Sequence, residues 1–326
     1  SDPFGPYFSE SLFSSKFLSE SFSLFGNLDY FINKSLKFSI GARWENYESQ
    51  YVDSLGELFN PSDKMSGGKI SINKNLSDSS NIFLSIARGF NQGGFNLNLG
   101  LAPESNNSNL YYDPEFLTNY EIGFNSQLFN KMMNVSAVIF YSDRDDQQVL
   151  ISTQVDPMDP NTFSFLTQNA AEGINKGVEL NLDIELSESV YFFSRFGLLQ
   201  TDINNWKSRP DLEGRAQAHA PKKSFALGIN WSITDRASLS IDLVGKSSFY
   251  YSDSHDNQSS SYSLTNINYD YSIGRWTYSI WARNVFDEYY SVRGFYFGNE
   301  APDFQDTLYE RHGDPKHLGF TARYDF

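Results

Sequence analysis

Few groups in this chain are equipped for bond chemistry. The histidines are His219, His255, His312 and His317. A hydrolase pairs a Ser or Asp nucleophile with such a base. None of the four lies in a nucleophile motif, and all but His317 fall in loop-like stretches. No cysteine is present, so thiolate metal sites and a disulfide framework are excluded. Asp143, Asp145, Asp146, Asp156 and Asp159 offer oxygen ligands of the kind Ca2+ takes. Their spacing is not that of a Ca2+-binding loop, and a solvated acidic loop is the expected reading. Recognition is what remains. Arg88, Asn91 and Gln92 follow one strand, and Arg293 and Tyr296 lie in the last long connection. These groups can hold a polar ligand without breaking its bonds. No catalytic residue, cofactor or resident metal is expected.

Strands must position these residues. From Phe22 to Ile32, Leu24, Leu28 and Tyr30 share a parity with Phe22, while Ser23, Asn27 and Asp29 take the other. After Asn33–Ser35 the alternation resumes through Phe38, Ile40, Ala42 and Trp44. A period of two makes an extended strand with one apolar and one wet face. Further hairpins are expected at Gly68–Asn75 with Asn81–Asn91, and at Leu117–Phe129 with Met132–Asp143. Three more follow: Gly177–Leu186 with Val190–Thr201, Lys223–Ile233 with Ala237–Tyr250, and Ser261–Ile273 with Arg275–Asn284. A last strand covers His317–Phe326. Short and long connections alternate throughout, which places every tight turn at one end. The strand Val178, Leu180, Leu182, Ile184, Leu186 carries Glu179, Asp183 and Glu185 on its other face. Those carboxylates must face water, so the register is fixed.

Composition agrees. The 326 residues are 17% aromatic with a net charge of −15, yet mean hydropathy is −0.46. No stretch approaches the roughly 20 apolar residues of a membrane helix. Half-lipid, half-water strands explain this, although composition alone also admits a large soluble β protein. The acidic balance argues against nucleic acid. Tyr30, Trp231, Tyr271 and Trp276 near short turns, and Trp44, Tyr250 and Tyr251 near long ones, read as two interfacial girdles. The competing reading is that Tyr and Trp are good strand formers. The start, Ser1–Pro6, lacks the features of a signal peptide.

Several stretches resemble the TonB-dependent outer-membrane receptors. They are Ala87–Asn96, Tyr112–Phe124, Asn169–Glu179, Ala220–Lys222, Trp281–Tyr290 and Gly313–Lys316, in the family's order. The closing strand ends on Phe326, which in that family is the signal read by the barrel-insertion machinery. The resemblance implies an all-β, transmembrane, antiparallel up-and-down β-barrel in the outer membrane of a Gram-negative bacterium. Only about 13–14 of the family's 22 strands are legible in the sequence, with no plug domain and no TonB box. Residues 1–326 are therefore expected to form a single domain, the carboxyl-terminal part of a receptor barrel. The parent would import an iron–siderophore or similar small-molecule metal complex, driven by TonB–ExbB–ExbD through its plug. The alternative is a stand-alone, passive, porin-like channel. The expected cargo contacts are Arg88, Asn91, Gln92, Arg293 and Tyr296.

Overall fold

The computed structural model describes residues 14–54, 56–96, 110–154, 163–206, 209–253 and 255–297, and within 300–326 all but 301, 304 and 306. Its strands are β1 (Ser15–Asn33), β2 (Leu36–Asp53), β3 (Leu58–Phe59), β4 (Ser62–Ser77), β5 (Ser80–Asn91), β6 (Gly94–Phe95), β7 (Tyr111–Tyr112), β8 (Glu115–Leu128) and β9 (Met133–Gln154). They continue as β10 (Phe163–Ser187), β11 (Val190–Trp206), β12 (Lys223–Thr234), β13 (Ala237–Lys246), β14 (Tyr262–Ile273), β15 (Trp276–Arg283), β16 (Ser291–Phe297), β17 (Thr307–His312) and β18 (His317–Tyr324).

One 14-stranded antiparallel sheet holds all of these except β6–β7 and β16–β17, which form two small hairpins. Each main strand pairs with the next along the chain, and β3 adds to β2. All six tight turns lie at one end. Three consecutive left-handed residues, Phe129, Asn130 and Lys131, make the turn between β8 and β9. Gly274, at φ 60°, makes the one between β14 and β15. β1 and β18 each have a single partner, so the sheet is an open, incomplete barrel wall among the described residues.

Register carries the alternation across the sheet. Ile72, Leu84, Ile122, Ile139, Val178 and Leu198 are successive ladder partners on one face. One residue along, Asn73, Phe83, Gly123, Val138, Glu179 and Gly197 are partners on the other. The first face is bare: Leu28 is 63% exposed, Ile139 57%, Leu180 42% and Phe320 65%. So large a continuous apolar surface on a soluble protein would drive association, whereas lipid tails satisfy it. The second face is cross-linked by polar groups. Arg195 Nη2 donates to Asp183 Oδ1 at 2.6 Å, as does Tyr191 OH at 2.5 Å. No second layer covers Leu180, Leu182 or Ile184 among the described residues.

The structure corrects several expectations. The acidic stretch after Asp143 is not a loop: β9 runs through Asp143, Asp145 and Asp146 to Gln154, pairing with an equally extended β10. Asp156 and Asp159 lie outside the described residues. β9 has 22 residues and β10 has 25, about twice what lipid requires. Beyond the bilayer both faces are wet, so these extensions carry no alternation. The last long connection contains β16 and β17, and His312 closes β17. β13 stops at Lys246 rather than Tyr250, and Tyr251 is buried among outer-end segments instead of joining a girdle. Tyr30, Trp44, Trp231, Tyr271 and Trp276 do stand exposed on the apolar face.

Candidate functional site

The outer end of the polar face is roofed by the chain following β5. Glu45, Tyr47, Ser49 and Tyr51 share one face of β2 and are all buried. Glu45 Oε2 accepts from Arg43 Nε at 3.0 Å and Nη2 at 2.5 Å, and its Oε1 accepts from Gln92 Nε2 at 2.6 Å. A carboxylate held by three charge-assisted or amide donors is a rigid anchor. Gln92 is thereby pinned inward. The chain then passes β7 so closely that a Cβ on Gly93 would lie 2.5 Å from the Tyr112 carbonyl oxygen. Only glycine permits that approach.

Gln148 ties the segment from the other side. Its Oε1 accepts from Asn91 Nδ2 at 2.8 Å, and its Nε2 donates to the carbonyls of Gln92 (2.8 Å) and Asp113 (3.0 Å). Asn169 Nδ2 donates to the Asp113 carbonyl at 2.7 Å while its Oδ1 accepts from the Asp113 N–H at 2.6 Å. Asn96 makes the same two-way exchange with the Thr167 backbone, at 2.8 Å in each direction. Side-chain amides thus replace backbone partners where the chain leaves the sheet. Phe95 stacks on Tyr51 at 5.4 Å and meets Phe17 and Tyr111 edge-on at 5.3 and 5.2 Å. The Tyr111 hydroxyl donates to Asp63. Burial and that carboxylate push the Tyr111 phenol well above its ordinary pKa.

A second ordered cluster joins the segments after β11, β13 and β15. Ile203, Trp206 and Leu212 form its apolar centre. Arg215 bonds Asp256 at 3.0 Å and stands over the Tyr250 ring at 4.0 Å. The Tyr251 hydroxyl donates to Glu310, and burial with that carboxylate raises the phenol to about 12. His255 meets the Tyr296 ring edge-on at 4.9 Å, and Asn257 Nδ2 donates to the Tyr296 hydroxyl. Burial holds the His255 pKa below its usual value.

The expected contact residues divide four ways. Asn91 and Gln92 belong to the roof over Glu45, and Tyr296 belongs to the second cluster. Arg293 is exposed on β16, directly opposite Arg311 of β17. Like charges facing each other across a hairpin are unfavourable unless something neutralises them, and neither forms an ion pair among the described residues. Arg88 leaves the group. It shares the apolar face with Leu84 and Ile86, and its guanidinium lies 4.5 Å above the Phe116 ring. Parity held the signal, since Ile82, Leu84, Ile86 and Arg88 are all even-numbered. Glu45, Gln148 and Arg311 were not singled out from sequence. Among the described residues no three carboxylates or imidazoles gather as a metal site.

The sequence profile of the TonB-dependent receptor-like β-barrel family matches residues 1–285. The ferric yersiniabactin uptake receptor FyuA of Yersinia pestis superposes with a TM-score of 0.79 at 17% identity, over 96% of this chain and 47% of its own. The siderophore receptor PiuA of Acinetobacter baumannii gives 0.72 at 17% identity, over 93% and 42%. The copper transporter OprC gives 0.74 at 13% identity, over 95% and 50%. The chain thus spans half or less of the length of each of these structures.

Proposed function

This chain belongs to the TonB-dependent receptor β-barrel family, and from that premise we propose that the intact protein captures a metal–chelate complex at its outer mouth and imports it. Barrels of this family are outer-membrane transport receptors of Gram-negative bacteria rather than enzymes. Residues 1–326 supply wall and mouth as a single domain. The remaining strands pair with β1 and β18, whose free N–H and C=O groups lipid cannot satisfy. A plug in the polar lumen couples transport to TonB, ExbB and ExbD, and β18 with the Phe326 that follows it directs insertion by the barrel-assembly machinery.

The observation that carries the cargo reading is the Arg293–Arg311 pair. Two exposed guanidinium groups on one face of a hairpin suit an anionic chelator, whose carboxylates or phenolates they bind in fork geometry. Phe295 and Tyr309, ladder partners two residues on and so on the same face, stack with ring centroids 6.0 Å apart and offer aromatic surface beside them. Tyr296, Asn91 and Gln92 contribute polar contacts nearer the bore. The solved relatives named for ferric yersiniabactin, siderophore and copper transport support a metal complex as cargo. A passive porin-like channel is the second reading; the family match and the segment folded over Glu45 weigh against it.

The test is uptake of labelled ferric chelates by cells lacking the gene, complemented with the full-length protein. Energy-dependent uptake that falls at least tenfold with Arg293→Gln and Arg311→Gln combined is the expected result. Uptake that is unsaturable and indifferent to the proton-motive force would establish the channel instead.

A further inference from the structure

Tyr289 is an exposed residue held as firmly as a buried one. It is 74% exposed, yet its hydroxyl lies 2.6 Å from His312 Nε2 and the two rings are 4.3 Å apart. His312 is fixed in turn. Its Nδ1 lies 3.1 Å from the hydroxyl of Ser291, its buried ladder partner at the foot of the β16–β17 hairpin. The backbone beside both residues is pinned. Buried Asn284 accepts from the Glu288 N–H at 2.8 Å and donates to the Glu288 and Asp314 carbonyls at 2.9 and 3.1 Å. The Gly313 N–H donates to the Tyr290 carbonyl at 2.9 Å.

A carboxylate sets the direction of this chain of hydrogen bonds. The Tyr251 hydroxyl donates to Glu310, which leaves its oxygen to accept, and the Ser291 hydroxyl donates to it. A serine has one proton to give. With that proton spent on Tyr251, Ser291 Oγ accepts from the His312 Nδ1–H. His312 Nε2 then carries a lone pair, and the Tyr289 hydroxyl donates to it. The relay thus runs one way, from an exposed phenol to a carboxylate, and leaves a base on the Tyr289 proton. A phenol so placed is a ready anionic oxygen donor of the kind that holds ferric iron. An imidazole behind it is the sort of partner that orients a metal ligand and raises its basicity. Arg293 and Arg311 stand one rung further along the same hairpin.

We propose that Tyr289 binds the iron of the cargo directly, as a phenolate whose proton passes to His312, and that the cargo is therefore a ferric chelate with an open coordination position. This rests on the metal–chelate reading above and narrows it. A hexadentate chelator fills every position on the metal and leaves Tyr289 nothing to bind. A tetradentate carboxylate chelator leaves positions held only by water, and its carboxylates meet the two arginines. In the step the Tyr289 O–H bond breaks and the His312 Nε2–H bond forms. The phenolate electron pair makes the Fe–O bond as a water leaves, and the iron stays ferric.

The test titrates the full-length receptor, purified in mild detergent, with Fe(III)–nitrilotriacetate, a tetradentate chelate. The readout is the resonance Raman signature of iron-bound tyrosinate. Wild type should show it, and the ferric complex of a hexadentate trihydroxamate should not produce it. Tyr289→Phe should abolish the signal. His312→Gln should keep it but weaken the affinity about tenfold, as when the partner orienting a metal ligand is removed. No signal in wild type, an equal signal in Tyr289→Phe, or a signal with the trihydroxamate complex would overturn the assignment. Arginine-dependent uptake of ferric chelates is measured separately, so failure here leaves the cargo reading standing. Folding is read as the heat-dependent gel shift of intact barrels; should Tyr289→Phe fail to fold, Tyr289→Gln carries the same comparison.

Discussion

Phe140 and Gly177 are ladder partners on the polar face, and the Phe140 ring lies where a side chain on Gly177 would be: a Cβ there would come within 2.7 Å of the ring tip. The same relation joins Phe83 to Gly123, Phe193 to Gly228 and Trp281 to Gly319. In each case a large aromatic lies down across a facing glycine, so the wall of the lumen stays low where bulky residues occur. Gly177 thus sits inside β10 where both the Phe140 ring and the Leu198 carbonyl oxygen come too close for a Cβ.

Replacing Gly177 by Val should therefore force Phe140 off its rotamer and shift the ladder. Overpacking of this kind costs about 1–3 kcal/mol. The folded fraction, read as the heat-dependent gel shift of outer-membrane protein, should fall, and Phe140→Ala in the same chain should restore part of it. Equal folding of Gly177→Val and wild type would contradict the close approach.

The roof over the polar face depends on one carboxylate. Glu45→Ala removes the acceptor of both Arg43 and Gln92, at a cost of about 1–3 kcal/mol for hydrogen bonds to a charged group. Residues 92–96 and 110–112 should become sensitive to external protease while the sheet stays intact. Gln92→Ala should do the same more weakly. Unchanged protection in both would show that Gln148 and the Phe95 stack suffice.

The second outer-end cluster should loosen in acid. Burial depresses the His255 pKa below its ordinary 6.5, against a smaller opposing effect from the Gly294 backbone. In the unfolded cluster the imidazole takes up a proton near 6.5; in the folded one it resists. Stability from this group is complete above that pH and is lost as pH falls through 6.5 toward the depressed folded value. Arg215 adds repulsion to the charged form, Asp256 partly offsets it, and Tyr296 faces the ring. Hydrogen exchange of residues 249–259 should quicken from pH 7.5 to 5.5, and His255→Gln should flatten that dependence. A slope that survives the substitution would assign it to other groups.

The sheet was legible because lipid on one side forces a strict alternation, and every tight turn lay where that pattern broke. Legibility ended with the bilayer. β9 and β10 above Asp143 and Gly173, and the β16–β17 hairpin, have water or protein on both faces, so backbone pairing there leaves no period in the sequence. Of the contact residues, Asn91 and Gln92 do lie at the mouth, but their partners Glu45 and Gln148 are 47 and 57 positions away from them, respectively, and no local pattern links such residues. Arg88 was grouped by nearness in sequence when its parity with Ile86 already placed it on the other face.

Lipid exposure of one ladder face carries the whole account. Single substitutions should respect it: Leu180→Arg should cost about 2–4 kcal/mol in the membrane, while Glu179→Gln should be nearly neutral.

The direct measurement uses spin labels on Leu180→Cys and Glu179→Cys in the full-length protein in bilayers, with any cysteine outside residues 1–326 replaced by serine. The Leu180 label should be relaxed by oxygen, which concentrates in lipid, and the Glu179 label by a water-soluble nickel chelate. A reversed pattern, or a Leu180 label shielded from both reagents, would contradict the assignment of the two faces and with it the transport reading.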